Sequence, residues 1–125
     1  MVKNLLITLA AALSIATVSA QNFGTIVFSK GENGFDTYRI PALVEASDGS
    51  ILAFAEARKF SRSDTGDIDL VLKRSTDGGK TWGNIITVWD DNDNVCGNPC
   101  PVLVKETGRI ILLSTWNLGA DHEKD

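Results

Sequence analysis

An all-β fold assembled from four-stranded antiparallel units is what this sequence predicts. Three observations carry that reading. From Thr37 onward, short runs rich in Val, Ile and Leu alternate with turn chemistry. Beyond residue 20 no segment shows the 3.6-residue periodicity of a helix. A stretch around Asn98 repeats one around Tyr38.

The first 20 residues stand apart from that pattern. Met1-Val2-Lys3 gives a positive start, Leu5 to Leu13 is mostly apolar, and Val18-Ser19-Ala20 ends in small residues. This is the layout of a secretory signal peptide, with cleavage expected after Ala20 and a secreted or periplasmic destination. Thr8 interrupts the apolar run, and Ser14 and Thr17 follow it. It is too short to span a bilayer comfortably, so stable membrane insertion is not expected. The 125-residue chain carries 12 Lys and Arg against 16 Asp and Glu, a net charge of −4. Loss of the leader removes one cation, Lys3, and no anion. Such an acidic balance disfavours nucleic acid and anionic membranes as partners.

Residues 21–125 are enough for one small domain. Y-R-I-P-A-L-V-E-A reads as the first strand, and S-D-G-S, with its Asp48-Gly49 pair, as the hairpin into I-L-A-F-A-E-A-R. The polar loop K-F-S-R-S-D-T-G leads to D-I-D-L-V-L-K-R-S, where Ile68, Leu70 and Leu72 alternate with Asp69, Val71 and Lys73. A T-D-G-G-K turn then leads to a fourth strand around Asn84 to Trp89. Next, N-P-C-P-V-L-V-K-E-T-G-R-I-I-L-L retraces the first hairpin. Pro41, Leu43 and Val44 match Pro101, Leu103 and Val104 at an offset of 60; Ile51 and Leu52 match Ile110 and Ile111 at an offset of 59. A recurring four-stranded antiparallel unit is the signature of a β-propeller blade. About one and a half blades are present. Because a blade cannot bury both faces alone, and the chain ends in the polar stretch G-A-D-H-E-K-D, residues 21–125 are expected to be the N-terminal part of a longer propeller domain.

Other features are assigned by elimination. Cys96 and Cys100 lie four apart in an extended segment, too far for a disulfide, and are expected to be free thiols. The only histidine, His122, is distant from them, which disfavours zinc. With Asp90 as the first ligand of an EF-hand loop, the sixth position is Val95 instead of Gly and the twelfth Pro101 instead of Glu, so calcium fails as well. Neither metal nor cofactor is expected.

The most specific motif is S-T-D-G-G-K-T-W, residues 75 to 82, which fits the Asp-box pattern S-x-D-x-G-x-x-W. Ser75, Asp77, Gly79 and Trp82 are expected to build a tight hairpin. Asp77 accepts backbone hydrogen bonds in its own turn, Gly79 adopts a positive φ, and Trp82 folds back over the blade. This role is structural.

Y-R-I-P, A-E-A-R, an aspartate shortly after, the Asp box and N-P-C-P together resemble the exo-α-sialidases of the bacterial and animal type, from about Asp36 to Trp116. The resemblance implies a six-bladed β-propeller with the substrate at its axis. It implies that Arg39 is the first of three arginines gripping the sialic acid carboxylate, a task suited to a planar, permanently charged fork. It places Arg58 at the pocket floor near the substrate O4 and the acid. Asp64, in the flexible loop, becomes the general acid/base that protonates the leaving oxygen and later activates water. Asp67 and Asp69 compete for that role, but Asp69 fits a solvated strand face better. Asn98 borders the pocket near O4 and the N-acetyl group. Alternation places Arg39 on the face opposite Ile40, Ala42 and Val44.

The family attacks with a Tyr activated by a Glu, because a carboxylate would be repelled by the substrate's own. The only tyrosine here, Tyr38, belongs to the Y-R-I-P strand, and Arg62, Arg74 and Arg109 match none of the later carboxylate-binding positions. The parent is therefore expected to hydrolyse terminal sialic acid from glycoproteins, glycolipids or oligosaccharides, and this piece alone to be inactive. The alternatives are a non-catalytic propeller that binds sialylated glycans and a structural Asp-box protein.

Overall fold

The structure, a computed structural model, describes residues 24–122. The signal peptide expected at residues 1–20 lies outside them. Six strands follow in order: β1 (Thr37–Glu45), β2 (Ile51–Arg58), β3 (Ile68–Ser75), β4 (Ile86–Trp89), β5 (Val95–Val104) and β6 (Arg109–Asn117). β1 to β4 form one antiparallel unit, each strand paired with the next. β5 and β6 form an antiparallel pair. β5 touches the first unit's ladder only at a parallel bridge between Ile68 and Val95. Otherwise it lies against β1 and β2 without a ladder to either. The six strands are thus one blade and half of the next, set face to face.

The fourth strand is shorter than the expected 84–89. The fifth begins at Val95, three residues before the expected start, because Val95 is buried against the first unit while Ile68 donates its N–H to Asn94 O.

β2 and β3 are central and buried on both faces. On one face Ala55, Ala57 and Val71 pack with Phe28, Phe35, Tyr38 and Ile85. Tyr38 stacks on Phe28 at 5.0 Å between ring centres and donates its hydroxyl to Glu32 O. The other face carries Phe54, Glu56, Arg58, Ile68 and Leu70, and is covered by β5.

The repeat holds with a corrected offset. β1 has a bulge between Arg39 and Ala42, and β5 has one between Gly97 and Cys100. Each contains a non-glycine residue at positive φ followed by proline: Ile40 (50°) before Pro41 and Asn98 (53°) before Pro99. Pro41 therefore corresponds to Pro99, an offset of 58, and not to Pro101. Proline tolerates the bulge because no ladder N–H is needed there. The second strands keep the offset of 59: Glu56 pairs with Arg39 as Thr115 pairs with Gly97. The bulge also overturns the simple alternation along β1. Ala42 and Val44 pair with Phe54 and Leu52, in phase with Glu56, so they share the face of Arg39.

Phe54 is 3% exposed beneath β5, whereas its counterpart in the second unit, Leu113, is 60% exposed. Ile111 and Val102 lie bare on the same side. The second unit thus presents, open, the face that the first unit buries.

The Asp box joins β3 to β4 as expected. The buried Ser75 hydroxyl donates to Asp77 Oδ1 at 2.8 Å and accepts the Gly79 N–H at 2.9 Å. Asp77 also accepts the Thr81 hydroxyl and the N–H groups of Lys80 and Thr81. Gly79 has φ of 85°, with the Trp82 ring beside it. The hydrogen bonds from Thr81, then that from Ser75, hold the Asp77 carboxyl far below the usual range. A depressed folded pKa gives stability that is complete above the unfolded value near ~4 and fades as pH falls through the folded one. Asp77→Ala should therefore lower the Tm at pH 7, and the gap to wild type should narrow below about pH 4. Thermal denaturation across that range checks this; equal Tm values at pH 7 would show that the turn does not depend on the carboxylate.

Candidate functional site

Arg39 and Glu56 face one another across the β1–β2 ladder, and Arg58 follows Glu56 by two residues on the same side of β2. The bulge after Arg39 holds Ile40 in the left-handed region, strained for a β-branched side chain. Such a conformation costs of order 1–3 kcal/mol. Here it accompanies the strand's turn away from its partner beside the charged cluster.

Arg58 and Glu56 are nearly fully buried, at 3% and 4% side-chain exposure. A buried charge survives only with its hydrogen bonds satisfied. Arg58 Nε and Nη2 donate to Glu56 Oε2 at 3.2 and 2.6 Å. Nη1 donates to Arg62 O at 2.7 Å and Ser63 O at 2.6 Å, and lies 2.7 Å from Asp64 Oδ1. Asp64 also takes Arg39 Nη1, at 2.9 Å, on the same oxygen. The loop bearing Asp64 is closed by Lys59 N–H to Asp67 O, and Gly66 N–H reaches Gly119 O. The hydrogen bond from Arg58, with the charges of Arg58, Arg39 and His122, holds Asp64 below the ordinary carboxylate range despite some desolvation.

Asn98 reaches the same place from β5. Its N–H donates to Glu56 Oε1 at 2.9 Å, and its side-chain amide to Thr115 Oγ1 at 2.9 Å. Gly97 permits this contact, because a Cβ there would stand 2.9 Å from Glu56 Oε1. Arg39, Arg58, Asp64 and Asn98 are thus brought together. A cleft of about 40 Å³ is lined by Ile40, Glu56, Arg58, Asp64, Ile68, Val95, Asn98 and Asn117. That is room for a few waters rather than a sugar.

Sequence reasoning missed Glu56 and Asn117. The signal for Glu56 was present: a carboxylate inside the apolar run A-F-A-E-A-R, in phase with Arg58. The 59-residue offset of the second strands already pointed to Asn117, which stands where Arg58 stands in the first unit.

Asp69 is not on a solvated face; it is 4% exposed. It pairs with Ala57, on the side of the aromatic cluster, and the strand is covered on both sides. Burial first, then the charges of Asp90 and Asp67, push Asp69 up to about 6, with Lys59 opposing. Asp67 is also buried and pairs with Lys59 Nζ at 2.9 Å. Cys96 is buried and Cys100 exposed, and both are free. Among the described residues no three His, Cys, Asp or Glu side chains are grouped to hold a metal ion.

The family described as BNR repeat-like domain matches residues 40–124. The exo-alpha-sialidase of Aspergillus fumigatus is 39% identical over 98 residues, covering 74% of this chain and 24% of that protein. That of Arthroderma benhamiae is 41% identical, covering 70% and 22%. The sialidase of Paraclostridium sordellii is 38% identical, covering 74% and 24%. The solved structure of Hadza microbial sialidase Hz136 is 29% identical with a TM-score of 0.66, over 73% of this chain and 20% of that one. A partial propeller with this charged cluster is a BNR-repeat fold, and the chain belongs to the exo-α-sialidase family. It spans about a quarter of the length of these curated relatives.

A group whose pKa is raised on folding penalises the folded state as pH climbs from its unfolded to its folded value. For Asp69 that window runs from about 4 to about 6. Asp69→Asn should stabilise the protein by up to ~3 kcal/mol above pH 6 and give no gain below about pH 4. Urea unfolding at pH 4 and 7.5 measures this; a gain independent of pH would place the effect elsewhere.

Proposed function

We propose that the protein carrying this chain is a secreted exo-α-sialidase that removes terminal sialic acid from glycans, and that these residues form one wall of its active site. The observation that carries the reading is the convergence of Arg39 and Arg58 on Asp64. Arg39 is 40% exposed and its fork can take an incoming carboxylate. Hydrogen bonds to charged groups are worth about 1.5–3 kcal/mol net. The substrate carboxylate competes with Asp64 for that guanidinium. Binding therefore draws Arg39 away from Asp64, raises the affinity of Asp64 for a proton, and readies it to protonate the leaving oxygen.

The remaining walls, the Tyr/Glu pair and two more carboxylate-binding arginines lie outside the described residues in this reading. Tyr38 is not the nucleophile, because its hydroxyl is tied to Glu32 O in the aromatic cluster. The small cleft and the open faces of Leu113 and Ile111 support a site completed by further blades.

Asp64→Ala in the full-length protein should lower kcat/KM on alkyl sialosides by roughly 10²- to 10⁴-fold, and by less on aryl sialosides whose leaving group needs no proton. Equal losses on both would remove Asp64 from the acid's role. Export is proposed from the leader at residues 1–20; N-terminal sequencing of the secreted protein should begin at Gln21, and an intact Met1 would overturn it.

A further inference from the structure

We propose that Glu56 is a positioning residue for Asp64: it holds Arg58 and Asn98 together across the two strand units, and it neutralises the arginine charge that would otherwise act on Asp64 alone. The proposal rests on the sialidase reading of Asp64 as the acid.

Glu56 lies two residues from the end of β2, where its neighbours Ala55 and Ala57 are buried in an apolar cluster. Both its oxygens are used. Oε2 takes two N–H groups of Arg58, and Oε1 takes the Asn98 N–H from the other unit. A surface carboxylate could be replaced by water, but a buried one has no substitute once its partners are fixed around it. Gly97 completes the fit by leaving room for Oε1.

Arg58 divides its donors between two carboxylates. Nε and Nη2 serve buried Glu56, while Nη1 serves the half-exposed Asp64 and two loop carbonyls. The charged groups around Asp64 are Arg58 from β2, Arg39 from β1 and His122 from the segment after β6. Around Glu56 they are Arg58 and, across the ladder, Arg39; from β5 it meets Gly97 and the Asn98 N–H, and it shares the cleft with Val95, Asn98 and Asn117, none of them charged. Without the Glu56 charge, two arginines would act on Asp64 alone. The carboxylate form would be favoured, and the acid would lose its proton at lower pH.

Glu56→Gln separates charge from shape, since the amide oxygen can still accept the Asn98 N–H. In the full-length protein, kcat/KM for an alkyl sialoside is measured against pH. Glu56→Gln should move the alkaline limb down by roughly one pH unit, the size expected from one nearby charge. At a pH above the wild-type limb, activity should fall about tenfold on the alkyl sialoside, and less on an aryl sialoside. Glu56→Asp keeps the charge and should leave the limb in place while raising KM; it carries the test if Glu56→Gln fails to fold. A uniform loss with the limb unmoved in Glu56→Gln, or a moved limb in Glu56→Asp, overturns the proposal and leaves the sialidase reading intact. A wild-type protein that cleaves no sialoside overturns both.

Discussion

The need of one buried guanidinium for partners organises the rest of this site. Arg58 is out of water, and each of its donor groups must find an acceptor inside the protein. Glu56 satisfies one side from the same strand. The other side draws in the carbonyls of Arg62 and Ser63, which wraps the 59–66 loop around the end of β2 and sets Asp64 at its edge. Asp64 is therefore not placed by its own contacts alone. A loop of Ser, Arg, Asp, Thr and Gly has no apolar side chain to anchor it except Phe60, which is 75% exposed. The arginine supplies the anchoring that packing does not.

The two units meet through the same network. Glu56 reaches from β2 to the backbone of Asn98, so the carboxylate that compensates Arg58 also sets the spacing between strand units. Charge and architecture are coupled at one residue. The β5 bulge turns the N–H of Asn98 toward Glu56, and the left-handed backbone it requires suits asparagine.

Much of this was legible from residues alone. The hairpins and the Asp box follow from turn chemistry and alternation, because each depends on residues close in sequence, and the existence of a repeat follows from comparing two such hairpins. The charged trio Arg39, Arg58 and Asp64 was legible through its resemblance to a known motif set. Three features were not. The offset of the first strands is hidden in the sequence because Pro101 has the flanking Leu-Val pattern of Pro41, whereas the true counterpart, Pro99, is marked only by a bulge. The burial of Asp69 is hidden because alternation distinguishes two faces without saying that both are covered. The role of Glu56 is hidden because a buried carboxylate makes sense only with Arg58 and the Asn98 N–H on either side of it.

The bulge-and-proline pairs at Ile40-Pro41 and Asn98-Pro99 show that the scaffold repeats where the chemistry does not. Glu56 and Arg58 have Thr115 and Asn117 as counterparts, and Arg39 has Gly97. Each unit therefore offers an equivalent socket near the start of its first strand. One socket here holds three ionised side chains; the other holds a hydroxyl, an amide and a bare backbone. A ring of such units could acquire an asymmetric binding centre without altering its frame, because what differs between sockets is three side chains and not the path of the main chain.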